Sequence, residues 1–155
     1  MTTTNEENVL IAVLATIRSI NGTAPWNTDL SVDGVVDEED TSKVVGMGKE
    51  KPLVIVGFDG LQPGDTPRDA WLALQIDVTI ERGYWQRHNL SPQAALLRIA
   101  GDIRAAIHGA RNTASALNVL EWAGTDRHRS DDGAATQNGC TIRYRVKVSD
   151  PTRLR

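Results

Sequence analysis

Two stretches of this chain alternate with a period of two, and they constrain the fold more than anything else in it. "WLALQIDVTIER" puts Leu72, Leu74, Ile76, Val78 and Ile80 on one side, with Gln75, Asp77, Thr79 and Glu81 mainly on the other. "GCTIRYRVKVSDP" puts Cys140, Ile142, Tyr144, Val146 and Val148 opposite Thr141, Arg143, Arg145 and Lys147. Side chains of a strand alternate between faces, so each stretch is a half-buried antiparallel strand with one wet side. The apolar sides need a cover.

Helices supply it. Thr4 and Glu7 form a capping box, after which Val9, Leu10, Val13, Leu14 and Ile17 recur at helical spacing until Asn21-Gly22. A helix is therefore expected over about residues 5 to 19. "SPQAALLRIAGDIRAAIHG" carries Ser91 as N-cap, Pro92 at the first helical position and Gly109 at the stop. Its stripe of Leu96, Ile99, Ala100, Ile103 and Ile107 is narrow enough to pack on a sheet. "PLVIVGFDG" adds a buried strand over Leu53–Phe58, the turn chemistry of "LQPGDTPRD" follows it, and "ALNVLEWAG" adds another strand.

The fold class that follows is α+β: an antiparallel sheet of about four strands with two main helices on one face. Residues 23 to 51 are turn-rich and acidic, admit a short strand near Leu30–Val36, and otherwise read as a long loop or arm. The 155 residues suit a single domain spanning 1–155, with the arm at 23–51 and a hairpin tip at 126–138. No apolar run reaches the ~18 residues that span a bilayer, and "MTTTNEEN" lacks the features of a signal peptide, so an intracellular or intracellularly assembled protein is expected. The single Cys140 excludes an internal disulfide and lies on an apolar strand face, as a core thiol does. A net charge of −3 gives no general drive toward nucleic acid or membrane.

Ten residues invite a chemical reading. "GTDRHRSDDG" holds three aspartates, two arginines and a histidine. The spacing matches neither an HxxxH pair nor a calcium loop, and adjacent residues such as Asp131 and Asp132 cannot easily aim at one ion. Asp126, His128 and Ser130 lack an oriented base and an oxyanion hole. "VVGMGKE" fails as a phosphate loop, since Lys43 stands where the first glycine belongs and Glu50 where a Ser or Thr would bind magnesium. No catalytic, metal or cofactor residue is therefore assigned. Trp71 and Trp122 lie inside strands as core or sheet-face residues, whereas Trp26 and Trp85 lie in less regular segments and are candidate aromatic anchors for a partner.

Three features together resemble the bacteriophage tail terminator family, the minor tail protein U type of long-tailed phages, and related tail completion proteins. They are "PLVIVGFDG" with a turn-rich insert before "WLALQIDVTIE", the helix "LLRIAGDIRAAI", and the closing hairpin "WAGTDRHRSDDGA…GCTIRYRVKV". The resemblance covers most of residues 5 to 149; the arm is longer than in the leaner lambda-type members.

The resemblance implies a non-enzymatic virion protein of the head-proximal tail end, assembled in the host cytoplasm. Copies would form a hexameric ring that caps the tail tube, stops its polymerisation and presents a surface to the head–tail connector, with genomic DNA passing through the lumen. Such a ring needs a heterologous interface. Asp37, Glu38, Glu39 and Asp40 of one subunit facing Arg143, Arg145 and Lys147 of the next are the expected pair. Arg127, His128, Arg129, Asp131 and Asp132, with Trp26 and Trp85, are the expected contacts to tube or connector. The alternatives are a neck adaptor that binds the tail end without forming a free ring, and a small metal-dependent enzyme using the Asp/His loop.

Overall fold

The computed structural model describes residues 5–30, 35–37, 51–64, 69–110, 120–128 and 137–149. In chain order the elements are α1 (Asn5–Arg18), β1 (Val35–Asp37), β2 (Leu53–Pro63), β3 (Asp69–Glu81), α2 (Arg82–Arg87), α3 (Pro92–Ala110), β4 (Leu120–His128) and β5 (Gln137–Ser149). They form the expected α+β layer: β2, β3, β5 and β4 make an antiparallel sheet, and the helices cover one side. The full order is β1-β2-β3-β5-β4, in which the three-residue β1 adds a parallel edge to β2. No helix among the described residues is long and apolar enough to cross a membrane.

The core lies between the sheet and α1 and α3. Val13 and Ile17 of α1, and Ile99, Ile103 and Ile107 of α3, are each no more than 1% exposed. They meet Leu72, Leu74, Ile76, Val78 and Ile80 of β3 and Cys140, Ile142, Tyr144 and Val146 of β5, all buried. The alternation that predicted these two strands is thus the alternation of burial, and the central position of both strands follows from their being the most regular apolar faces available.

The strands run further than their periodic cores. β2 continues past Phe58 through Leu61 and Gln62 to Pro63, where turn chemistry was expected. Asp126–His128 and Gln137–Asn138, assigned to a hairpin tip, are paired strand residues; the rest of that tip, 129–136, lies outside the described residues. α2 was not anticipated. It carries Tyr84 and Trp85 into the core.

Two irregularities reset the phase of the outer strands. The register shifts between Phe58 and Gly60, leaving Asp59 as the extra residue, so that Phe58 faces Leu74 and Leu61 faces Leu72 on the helix side. A second shift between Trp122 and Gly124 puts Leu120 and Trp122 on the helix side but Asp126 and His128 on the open side. Gly124 has φ +127°, a backbone conformation that side-chain-bearing residues rarely adopt, which suits glycine to this bulge.

Part of the expected arm is folded structure. Ile20 and Leu30 are fully buried, and the N–H of Leu30 donates to the carbonyl of Ile20 at 2.7 Å. Asp29 and Lys51, one near each end of the arm, form an ion pair at 3.6 Å. Residues 31–34 and 38–50 lie outside the described residues.

Candidate interaction surface

The open side of the sheet carries the polar half of each alternating strand, and cross-strand neighbours pair there. Arg143 of β5 meets Asp126 of β4 at 3.4 Å, and Arg145 meets Glu121 at 2.9 Å. Arg145 also lies over the ring of Trp71 at 4.5 Å from its centroid, with Lys147 at 6.0 Å. The basic row expected to face a neighbouring subunit is therefore substantially engaged within its own sheet. Of its presumed acidic partners, Asp37 ends β1 at the far edge of the sheet, while Glu38, Glu39 and Asp40 lie outside the described residues.

A polar chain crosses three strands on the same side. The hydroxyl of Thr141 donates to Asp77 Oδ1 at 2.5 Å and stands 2.5 Å from His128 Nε2. Because the hydroxyl proton goes to the carboxylate, the imidazole must carry its proton on Nε2 and donate to Thr141. A hydrolase triad places the imidazole between acid and hydroxyl. Here the hydroxyl sits in the middle, between carboxylate and imidazole, an order that ties β3, β5 and β4 together. Among the described residues there is no group of three or more His, Cys, Asp or Glu side chains that could hold a metal ion.

The expected contact residues divide. His128 is on the open side, whereas Arg127, opposite Cys140, is on the helix side with its Nη2 donating to Asn138 Oδ1 at 3.3 Å. Arg129, Asp131 and Asp132 lie outside the described residues. Trp26 is half-buried against the core, and Trp85, at 8% exposure, is a core residue and not an exposed anchor. Its segment reads as irregular in sequence because a six-residue helix has too few positions to display a period.

Trp122 is a surface aromatic, 48% exposed on the helix side of the outermost strand. The guanidinium of Arg104, from α3, lies 4.0 Å from the centroid of its ring, and its Nε1–H donates to Thr125 Oγ1 at 3.1 Å. Between α3 and β4 a groove of about 480 Å³ is lined by Arg104, Ile107, His108, Leu120, Trp122 and Tyr144 among others. Burial pushes the Tyr144 hydroxyl up to about 12, partly offset by Arg104. Burial likewise pushes the Cys140 thiol up to about 11, with Asp77 adding to the shift, so this sulfur is a protonated core group at neutral pH.

At the opposite edge of the sheet, Phe58 and Leu61 are 54% and 43% exposed. β1 pairs only with Val54–Val56, so Gly57–Pro63 has no strand beside it on that edge among the described residues. The molecule thus presents two sheet edges of different chemistry. No protein-family model matches the chain, and no curated protein matches it.

Proposed function

We propose that this protein is a structural component of a bacteriophage virion, a tail terminator whose copies close into a hexameric ring. The ring caps the tail tube, halts its polymerisation and offers its other side to the head–tail connector. The observation that supports this reading most directly is the pair of unlike sheet edges: Trp122 and Arg104 at one, Phe58 and Leu61 at the other. A surface that joins to a different surface on the next copy generates a ring when the rotation closes. The one-faced layer of helices on an antiparallel sheet also agrees with the resemblance carried by the strand and helix motifs.

No chemical step belongs to this role. The Asp/His stretch contributes Asp126 and His128 to strand pairing and cross-strand bonds, and in this reading Arg127, His128, Arg129, Asp131 and Asp132 are the contacts to tube or connector.

Mass measurement with electron microscopy of the purified protein tests the reading, alone and with polymerising tail tube protein. A sixfold ring that sits at tube ends and limits tube length is expected. A chain that stays monomeric in both settings yet joins heads to tails would instead be a neck adaptor. Tail joining retained by His128→Ala would exclude an enzyme that works through the Asp/His loop.

A further inference from the structure

Resting on the ring reading, we infer that neighbouring subunits join edge to edge through two described patches: the Phe58–Leu61 edge of one copy seats against the Leu120–Trp122 edge and Arg104 of the next. The register of the sheet carries the argument. Phe58 pairs with Leu74, Leu74 with Tyr144, and Tyr144 with Trp122. One step along, Leu61 pairs with Leu72, Leu72 with Val146, and Val146 with Leu120. Both rows cross all four antiparallel strands on their helix side. Their middle members and Leu120 are no more than 5% exposed, while the other three ends, Phe58, Leu61 and Trp122, are 43–54% exposed. A second copy displaced along these rows continues them, bringing Phe58 and Leu61 up to Trp122 and the strand edge that begins at the buried Leu120.

Direction and charge agree with that placement. β2, β3, β5 and β4 alternate in direction, so β2 of one copy meets β4 of the next antiparallel. Asp59 is the bulged residue between Phe58 and Leu61, is exposed, and pairs with no cation among the described residues. Arg104 pairs with no carboxylate among them and lies over Trp122. Glu121, which also lines the groove, is already held by Arg145. An apolar knob carrying one carboxylate thus faces an apolar groove carrying one guanidinium. Open apolar strand edges invite pairing with another chain, and here the two edges complement each other and not themselves, which favours a head-to-tail ring over a two-fold dimer.

Two experiments test this. Asp59→Arg and Arg104→Glu should each weaken assembly by roughly tenfold or more, measured free and on tail tubes, and the double variant should recover most of it. Asp59→Arg should leave the denaturation midpoint of the parent unchanged, and Arg104→Glu, which gives up its place over Trp122, should lower it only slightly. In a Phe58→Cys, Trp122→Cys variant, mild oxidation should yield a ladder of covalent multimers ending at six. The two positions are three strand spacings apart within one molecule, about 14 Å, too far for an internal disulfide. Rings that persist in both charge variants and give no ladder would overturn this interface while leaving the ring itself standing. A wild-type chain that is monomeric free and on tubes would overturn both, and a two-fold dimer would overturn the head-to-tail arrangement.

Discussion

Asp102, halfway along α3, accepts the backbone N–H of Thr28 at 2.8 Å, and its same oxygen takes the Thr28 hydroxyl at 2.7 Å and the N–H of Asn27 at 2.9 Å. Both Asp102 and Thr28 are 5% exposed. One carboxylate thereby satisfies the buried donors of a loop 74 residues away in sequence and locks the 21–30 segment onto the helix layer.

Removing that acceptor should be costly. Asp102→Ala leaves two backbone N–H groups and a hydroxyl without a partner, at a cost of about 3 kcal/mol. Asp102→Asn keeps one acceptor oxygen and should cost less. Urea unfolding followed by tryptophan fluorescence measures both; a loss below about 1 kcal/mol for the alanine variant would mean that water replaces the carboxylate.

Gly139 of β5 leaves no room for a side chain beside β3. A Cβ there would stand 2.7 Å from the carbonyl oxygen of Val78, a backbone atom that cannot swing aside. Gly139→Ala should cost about 1–3 kcal/mol by forcing β3 and β5 apart locally. An unchanged denaturation midpoint would show that the strands part freely at this point.

Alkaline pH should destabilise the fold before it touches the peptide bonds. Burial raises the Cys140 thiol from 9.0 to about 11 and the Tyr144 hydroxyl from 10.0 to about 12. Both groups hold their protons more tightly folded than unfolded, so the unfolded chain loses protons first and stability falls as pH rises. The stabilisation is complete below pH 9 and is lost between about 9 and 12, at up to 1.4 kcal/mol per pH unit for each group. Urea midpoints across pH 7 to 11 should decline, and Tyr144→Phe should flatten the upper part of the decline. A flat profile in the parent would remove the burial argument.

The two sides of β5 should differ in what they contribute. Arg145→Ala breaks an ion pair whose side chains are about half exposed, and it should change stability by less than about 1 kcal/mol. Ile142→Ala, at a fully buried position on the opposite side, should cost about 2–5 kcal/mol. Comparable losses from both would mean that the open side is covered.

The alternation in β3 and β5 and the apolar stripes of α1 and α3 were enough to specify an α+β layer with its core on the correct side. Those patterns are local, and burial follows directly from them. Other features depend on pairings between distant segments. A single extra residue at Asp59 and another between Trp122 and Gly124 reverse which side of the sheet the following residues face. Arg127 and His128, adjacent in sequence and grouped together as contacts, part by ordinary strand alternation, but the shift after Trp122 decides that His128 takes the open side while Trp122 emerges on the helix side beside Arg104.

The candidate surface was legible in its residue types and not in its grouping. Arg143, Arg145 and Trp71 were visible as strand residues, but the acids that engage the two arginines come from β4, whose register is set only when β5 inserts between it and β3. Sequence alone determined which residues seek the interior and which helices could cover them, because solvent exclusion acts on every apolar side chain in the same way wherever it lies. Tertiary structure alone decided which polar groups share a neighbourhood: Asp102 with Thr28, Asp77 with Thr141 and His128, Phe58 and Trp122 at two ends of one row. A hydrogen bond or an edge contact needs a particular partner at a particular distance, and only the folded register supplies one.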